Sequence, residues 1–319
     1  MTAVPRAVRF SRYGGPEVLE IAEVDRPRAG HGQVVVEVVA AALNPGEIGI
    51  REGVFAEIWP ARFPEGQGND FAGRVAETGD GVPAFAPGDE VLGFAPRAAQ
   101  ADFVVVGPGA LTAKPAGLGW AEAASIAGAG ATAWAGIEAV GPRPGETVVV
   151  SAAAGGVGVL AAQLARLRGA TVIGTASEGN FDFLRDLGIR PVAYGPGLAD
   201  RLRSAAPDGI DAYVDTFGAS NVDVALALGV RPDRINTIAD GLAVQRHGVH
   251  SAAQEQADDP AIWAVLADLV AKGELTVPIA AVYPLERVRD AYRDLATRHV
   301  RGKRVLAVKP LSDFEGDHR

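Results

Sequence analysis

The chain begins with short apolar runs broken by glycine and proline. Residues 33–42 read Gln-Val-Val-Val-Glu-Val-Val-Ala-Ala-Ala, a β-branched stretch that predicts a strand, and residues 91–94 and 101–106 have the same texture. Short strands separated by turn residues predict a mostly β domain. From about residue 121 the pattern changes. Residues 123–140 are Ala-rich and helical in character, and Gly141-Pro142-Arg143-Pro144-Gly145 then forces a turn. Beyond it strands and helices alternate: strand 147–151, helix 157–168, strand 171–175, helix 181–187, strand 212–215. Such alternation predicts a parallel sheet with helices on both faces, a doubly wound α/β fold. An amphipathic helix over 262–272 ends at Gly273, with Ile262, Val265, Leu266 and Leu269 expected to face a core. A last strand-like run, 303–308, is expected to return to the first domain. The expected division is therefore 1–122 with 275–319 as one domain, and 123–274 as the other.

Composition narrows the chemistry. With 319 residues the chain is long enough for about two domains, and 48% hydrophobic residues argue against wholesale disorder. A formal net charge of -9 and the lack of clustered Lys and Arg argue against nucleic acid as a partner. There are no cysteines, so disulfides, thiol catalysis and cysteine-based zinc or iron–sulfur sites are excluded. Residues 147–165 are uncharged, but their Ala-Ala-Ala-Gly-Gly-Val-Gly centre reads as strand–turn–helix rather than a membrane span. The N-terminal residues lack the apolar core of a signal peptide, and a cytoplasmic protein is expected.

The turn Ser151-Ala152-Ala153-Ala154-Gly155-Gly156-Val157-Gly158 lies between a predicted strand and a predicted helix. Small residues there let backbone approach a pyrophosphate, and the helix N-terminus supplies N–H groups and a positive dipole end. Ala152, Gly155, Gly156, Val157 and Gly158 are the candidate binders, with a ligand-free crossover as the bland alternative. At the end of the second strand of this unit, Ala176 and Ser177 stand where an NAD enzyme usually carries a carboxylate, which favours NADPH. Glu178 follows and is expected to face solvent. Ser177 and Asn180 are equally explained as turn residues before a helix.

These landmarks resemble the medium-chain dehydrogenase/reductase superfamily, specifically its zinc-independent quinone oxidoreductase (zeta-crystallin-like) branch. Gly68-Asn69-Asp70-Phe71-Ala72-Gly73, continuing to Gly79 and Val82, is similar to the superfamily's glycine signature, and Asn69 stands where the zinc alcohol dehydrogenases carry a metal-binding His. The resemblance implies a GroES-like catalytic domain beside a Rossmann-type domain. It also implies that Asn44 of the Asn44-Pro45 loop lies beside the nicotinamide and that Thr132 lies under the cofactor. Tyr194 would sit near the adenosine phosphate, and Phe217 in the Asp215-Thr216-Phe217-Gly218 strand end. Lys303, in the Gly-Lys pair before the closing strand, completes the implied cofactor contacts, and a homodimer is implied as well. The stretch Gly46-Glu47-Ile48-Gly49-Ile50 lacks the Tyr that many quinone reductases carry, and the position near Phe181, where some members carry Lys, is apolar.

Without a Lewis acid, hydride addition to an already activated acceptor is the easier chemistry. The expectation is an NADPH-dependent reductase acting on a quinone or an α,β-unsaturated carbonyl, a small-molecule substrate. The alternatives are an enoyl-thioester reductase of lipid or polyketide metabolism and a catalytically silent nucleotide-binding protein. Asn44 and Thr132 would orient nicotinamide or substrate. His247 and His250 are spaced for a metal pair or a proton donor, yet Gly248 between them favours a loop. Asp70 is expected to hydrogen-bond backbone, and Asp208, Asp211 and Asp215 are expected to be solvated turn residues.

Overall fold

The computed structural model describes residues 4–298 and 301–311. The end of the expected first domain, residues 312–319, lies outside the described residues. The chain divides into two units: Met1–Gly128 with Asp259–Glu274 and Pro278–Arg319, and Ala129–Asp258 with Leu275–Val277.

The first unit is built on a mixed sheet. Its strand order is Ile279–Pro284, Lys303–Ala307, Val34–Ala42, Asp70–Thr78, Glu90–Phe94 and Leu111–Ala113, with Phe103–Val106 also pairing Val34–Ala42. The valine run at 34–42 is buried nearly throughout, because it is flanked on both sides and covered on both faces. Phe10, Val36, Phe71, Leu111 and Leu306 share its core. The expected return of the C-terminal run is observed: Lys303–Ala307 pairs antiparallel with Val34–Ala42 and parallel with Ile279–Pro284.

The second unit holds a parallel sheet in the order Arg190–Ala193, Thr171–Ala176, Thr147–Val150, Ala212–Asp215, Ile235–Thr237. Register places Ile173, Val149, Tyr213 and Ile235 side by side, and Leu198, Leu202, Val222 and Ala225 of two helices pack in the same cluster. All five strands run the same way, so the loops leaving their C-terminal ends gather along one edge.

Two elements differ from expectation. The Ala-rich stretch is not one helix: Trp120–Ala123 is followed by a π-turn at Ile126–Gly130 and then by Ala131–Val140. The wide turn brings Gly128 onto the carboxylate of Asp70, where a Cβ would come within 2.3 Å of an oxygen. The helix Pro260–Ala271, expected within 123–274, groups with the first unit and contacts Leu111–Ala113. Its buried residues are Trp263, Leu266 and Ala267, while Val265 is exposed. The face differs from expectation at Val265: Leu266 is buried, Ile262 and Leu269 are half-buried, and Trp263, the largest apolar side chain of the helix, takes the buried side.

Candidate active site and nucleotide turn

In the first unit, Asn44 follows the long valine strand and opens the helix Pro45–Glu52. Proline at the first helical position fixes the entry, and Glu47 reaches back so that its Oε2 accepts the Asn44 N–H at 3.2 Å. The Asn44 side chain is held on three sides. Its Nδ2 donates to Glu47 Oε1 at 3.1 Å and to Asp70 Oδ2 at 3.0 Å, and its Oδ1 accepts from Lys303 Nζ at 2.6 Å. Lys303 also donates to the Leu43 carbonyl at 2.9 Å. Glu47, Asp70 and Lys303 are all buried. Tyr292, from the helix Val288–Ala296, donates to Glu47 Oε2 at 2.6 Å and accepts from Gln67 and Gln100.

Burial governs the electrostatics of this cluster. It raises the Glu47 carboxyl to about 7, with the negative Asp70 adding to the effect, against the donors Tyr292 and Asn44. Asp70 is also raised by burial, opposed by the Lys303 charge and by hydrogen bonds from Asn44 and the Gly128 backbone. The same burial lowers Lys303, and the two carboxylates work the other way.

In the second unit, residues 151–158 leave the strand Thr147–Val150 and enter the helix Gly158–Leu167. No side chain caps that helix, and although the Val159 and Leu160 N–H groups donate to the Gly155 and Val157 carbonyls, the positive end of its dipole still favours an anion at the turn. Ala152 takes a left-handed conformation, φ 47°, and folds its carbonyl back under the turn, where it accepts the Gly155 N–H at 2.8 Å. A Cβ on Gly158 would lie 2.2 Å from that carbonyl oxygen, so only glycine fits. A Cβ on Gly155 would meet nothing within 4 Å except the same oxygen, at 3.2 Å, so the turn keeps an open face there. An uncapped helix end beside an open glycine face fits the pyrophosphate of a dinucleotide.

Asp215 corrects the sequence reading. It is fully buried rather than solvated. Its Oδ1 accepts from Ser151 Oγ at 2.6 Å, Phe217 N at 3.1 Å, Gly218 N at 3.0 Å and Asn221 Nδ2 at 2.9 Å, and its Oδ2 accepts from Thr237 Oγ1 at 2.7 Å. One carboxylate thereby ties together the ends of three adjacent strands, at the point where the strand order reverses. Asp211 is a local brace that accepts the Thr147 N–H at 2.7 Å, and Asp208 is exposed as expected.

The other predicted residues fall as follows. Ser177 and Asn180 meet at the end of Thr171–Ala176, with Asn180 Nδ2 3.1 Å from Ser177 Oγ, and Glu178 is exposed beside them. Tyr194 is half exposed just past Arg190–Ala193. Its loop is pinned by Arg201, which donates to the carbonyls of Ala193, Gly195 and Pro196. Phe217 is exposed at the end of Ala212–Asp215, so the strand-end side chains of this unit share the edge that carries residues 151–158. Thr132 is half-buried in the first turn of Ala131–Val140. His247 and His250 do not form a pair: His247 ends a helix and faces Asp223, whereas His250 bridges to Asn236 and contacts the Asp233 carbonyl.

The donor set does not suit a catalytic zinc. Asn69 Oδ1 accepts the Arg97 N–H at 2.9 Å, the chain has no cysteine, and no group of three or more His, Asp or Glu among the described residues is placed to hold a metal ion. Glu47, Tyr292, Gln67, Gln100 and Arg201 were not singled out from the sequence. Only Glu47 carried a local signal, the Asn44-Pro45-Gly46-Glu47 spacing of a capping box.

Residues 30–134 match the family described as "Alcohol dehydrogenase GroES-like domain" and residues 190–306 the one described as "Zinc-binding dehydrogenase". The quinone oxidoreductase of Rattus norvegicus is 30% identical over 319 residues, covering 93% of this chain and 95% of that protein. The chain belongs to the medium-chain dehydrogenase/reductase superfamily, in its quinone oxidoreductase-like branch. The solved quinone oxidoreductase of Coxiella burnetii superposes with a TM-score of 0.87 at 30% identity, covering 96% of this chain and all of that one. A mycocerosic acid synthase-like polyketide synthase of Mycobacterium tuberculosis is 32% identical over 317 residues, which is 92% of this chain. This chain spans only 15% of that synthase's length. Among the described residues, no helix is long and apolar enough to cross a membrane.

Proposed function

We propose that this chain is a zinc-independent, NADPH-dependent reductase that transfers hydride to a quinone or an α,β-unsaturated carbonyl compound. The observation that carries the reading is the turn at 151–158, with its open Gly155 face and uncapped helix end. On this reading Ala152, Gly155, Gly156, Val157 and Gly158 receive the pyrophosphate. Ser177 and Asn180 border the adenosine ribose, Tyr194 lies toward its phosphate, and Phe217 flanks the coenzyme from the next strand end. Ser177 offers a hydroxyl where a carboxylate would repel a 2′-phosphate, which supports NADPH over NADH. Asn44 and Thr132 orient the nicotinamide or the substrate, and Lys303 enters through its bond to Asn44.

A bound reduced nicotinamide supplies the hydride. The chain's own task is to align donor and acceptor and to exclude competing water. A quinone or enone spreads the incoming charge onto oxygen, so its reduction needs no metal Lewis acid, in keeping with the unsuitable donor set around Asn69. The likeness to a polyketide synthase favours a second reading, reduction of an enoyl thioester by the same hydride chemistry.

One parallel assay separates the readings: NADPH and NADH oxidation with 9,10-phenanthrenequinone, a simple enone and crotonyl-CoA. Faster turnover of the quinone or enone with NADPH supports the first reading, and preference for the thioester supports the second. Saturable NADPH binding with no turnover would identify a silent nucleotide-binding protein. No binding of either coenzyme by calorimetry would overturn all three. The homodimer that the family resemblance implies and the expected cytoplasmic location are part of this reading, and light scattering on the purified protein tests the dimer.

A further inference from the structure

A primary amide carries two N–H donors and one oxygen with two lone pairs. In Asn44 both donors have acceptors within reach, one on Glu47 and one on Asp70, and the oxygen receives the Lys303 ammonium. Turning the amide over would aim its oxygen at two carboxylates and its NH2 at an ammonium. Every contact would then set like against like. The surroundings thus dictate the polarity, and what is left for a ligand is the second lone pair of Oδ1.

We propose that Glu47, Asp70 and Lys303 are positioning residues that lock the polarity of the Asn44 side-chain amide, so that it meets its ligand only as a hydrogen-bond acceptor. The inference rests on the reading of Asn44 as a residue facing the nicotinamide or the substrate. The group it takes is then an N–H or O–H donor, such as a carboxamide N–H or a hydroxyl. Asn44 offers nothing to a developing oxyanion, and that task falls to other donors.

A second layer holds the lock. Gln67 and Gln100 both donate to the Tyr292 hydroxyl, which directs its single proton to Glu47 Oε2. Glu47 therefore faces donors only: Asn44 N–H, Asn44 Nδ2 and Tyr292 O–H. The charged and titratable groups around it are Asp70 from Asp70–Thr78, Lys303 from Lys303–Ala307, and Tyr292 from Val288–Ala296. The guanidinium of Arg51, on Glu47's own helix, stacks 4.9 Å from the Tyr292 ring. Adding a proton to Glu47 places a fourth donor among these and loosens the hold on Asn44.

The test uses coenzyme-free protein labelled with 15N-asparagine, with the Asn44 side-chain resonance identified by its loss in Asn44→Ala. The expected result is a pair of slowly exchanging amide protons whose shifts titrate with a midpoint near neutral pH. The inflection should vanish in Glu47→Gln and move upward in Tyr292→Phe, which keeps the carboxylate but removes its donor. In parallel, Lys303→Met should weaken NADPH binding at least tenfold by fluorescence titration while melting cooperatively. Exchange at the rate of a free asparagine, or the same titration in wild type and in folded Glu47→Gln, overturns the proposal. Should Glu47→Gln not fold, an unmoved midpoint in Tyr292→Phe overturns it equally. Absence of NADPH binding by the wild type would refute the functional reading instead, and leave the amide measurement standing on its own.

Discussion

Replacing Asp215 by alanine is the sharpest perturbation of the second unit. The carboxylate accepts from five groups, two of which are hydroxyls that can rotate to other acceptors, Ser151 and Thr237. Three are not: the Phe217 and Gly218 backbone N–H groups and Asn221 Nδ2, and Asn221 keeps one partner in the Gly218 carbonyl. An unsatisfied buried donor costs ~1–3 kcal/mol, so Asp215→Ala should lose ~4 kcal/mol from this unit. Asp215→Asn should lose only ~1–2 kcal/mol, because its amide oxygen can retain the Oδ1 side and the loss is confined to the Oδ2 side, where the Thr237 oxygen already accepts from Ala239 N and Asp240 N. Urea unfolding followed by far-UV circular dichroism reads the difference, fitted with two transitions because each of the two units has a hydrophobic cluster of its own among the described residues. The same variants should bind NADPH at least tenfold more weakly, since the turn through Phe217 and Gly218 is released. A loss below ~1 kcal/mol in Asp215→Ala, or equal losses in both variants, would refute the assignment of Asp215 as the knot of this edge.

Further outcomes follow from the same geometry. Glu47 binds its proton more tightly when folded, at about 7 against an ordinary value of 4.5, so the native state holds the extra proton between those values. Its contribution therefore falls as pH rises through that window and is level above it. The full swing is ~3 kcal/mol, and Glu47→Gln should flatten that part of the pH–stability curve. Gly158→Ala puts a Cβ 2.2 Å from the Ala152 oxygen and should abolish NADPH binding in calorimetry, whereas Gly155→Ala, at 3.2 Å, should fold and weaken binding only where the ligand needs that face. Prolonged EDTA treatment should leave the reductase rate unchanged, and loss of activity restored by zinc would defeat the metal-free reading.

Periodicity and punctuation were enough to write down the alternating half of the chain, because a parallel strand buried on both faces must be an apolar run and a helix must follow it. The strands at 147–150, 171–176 and 212–215 lie within a residue or so of expectation for that reason. The strand–turn–helix at 151–158 was legible too, since a run of small residues between two apolar segments marks a tight turn. Where a polar side chain would be buried was not legible. Asp215, in a run of three aspartates at strand edges, looks no different along the chain from exposed Asp208. Only the parallel pairing of strands far apart in sequence surrounds it with donors.

The same holds for the cluster on Asn44. Local spacing joins Asn44 to Glu47, but Asp70, Tyr292 and Lys303 arrive from strands and a helix up to 259 positions away. Residue pattern and composition were sufficient for the two kinds of domain texture, the turn that suits a dinucleotide, and the absence of thiol chemistry. Which carboxylates are buried, which amide is locked and which face of the helix Pro260–Ala271 is dry emerge only once distant segments pack together. Those properties depend on desolvation and on donors brought from distant segments, and neither is a property of the local chain.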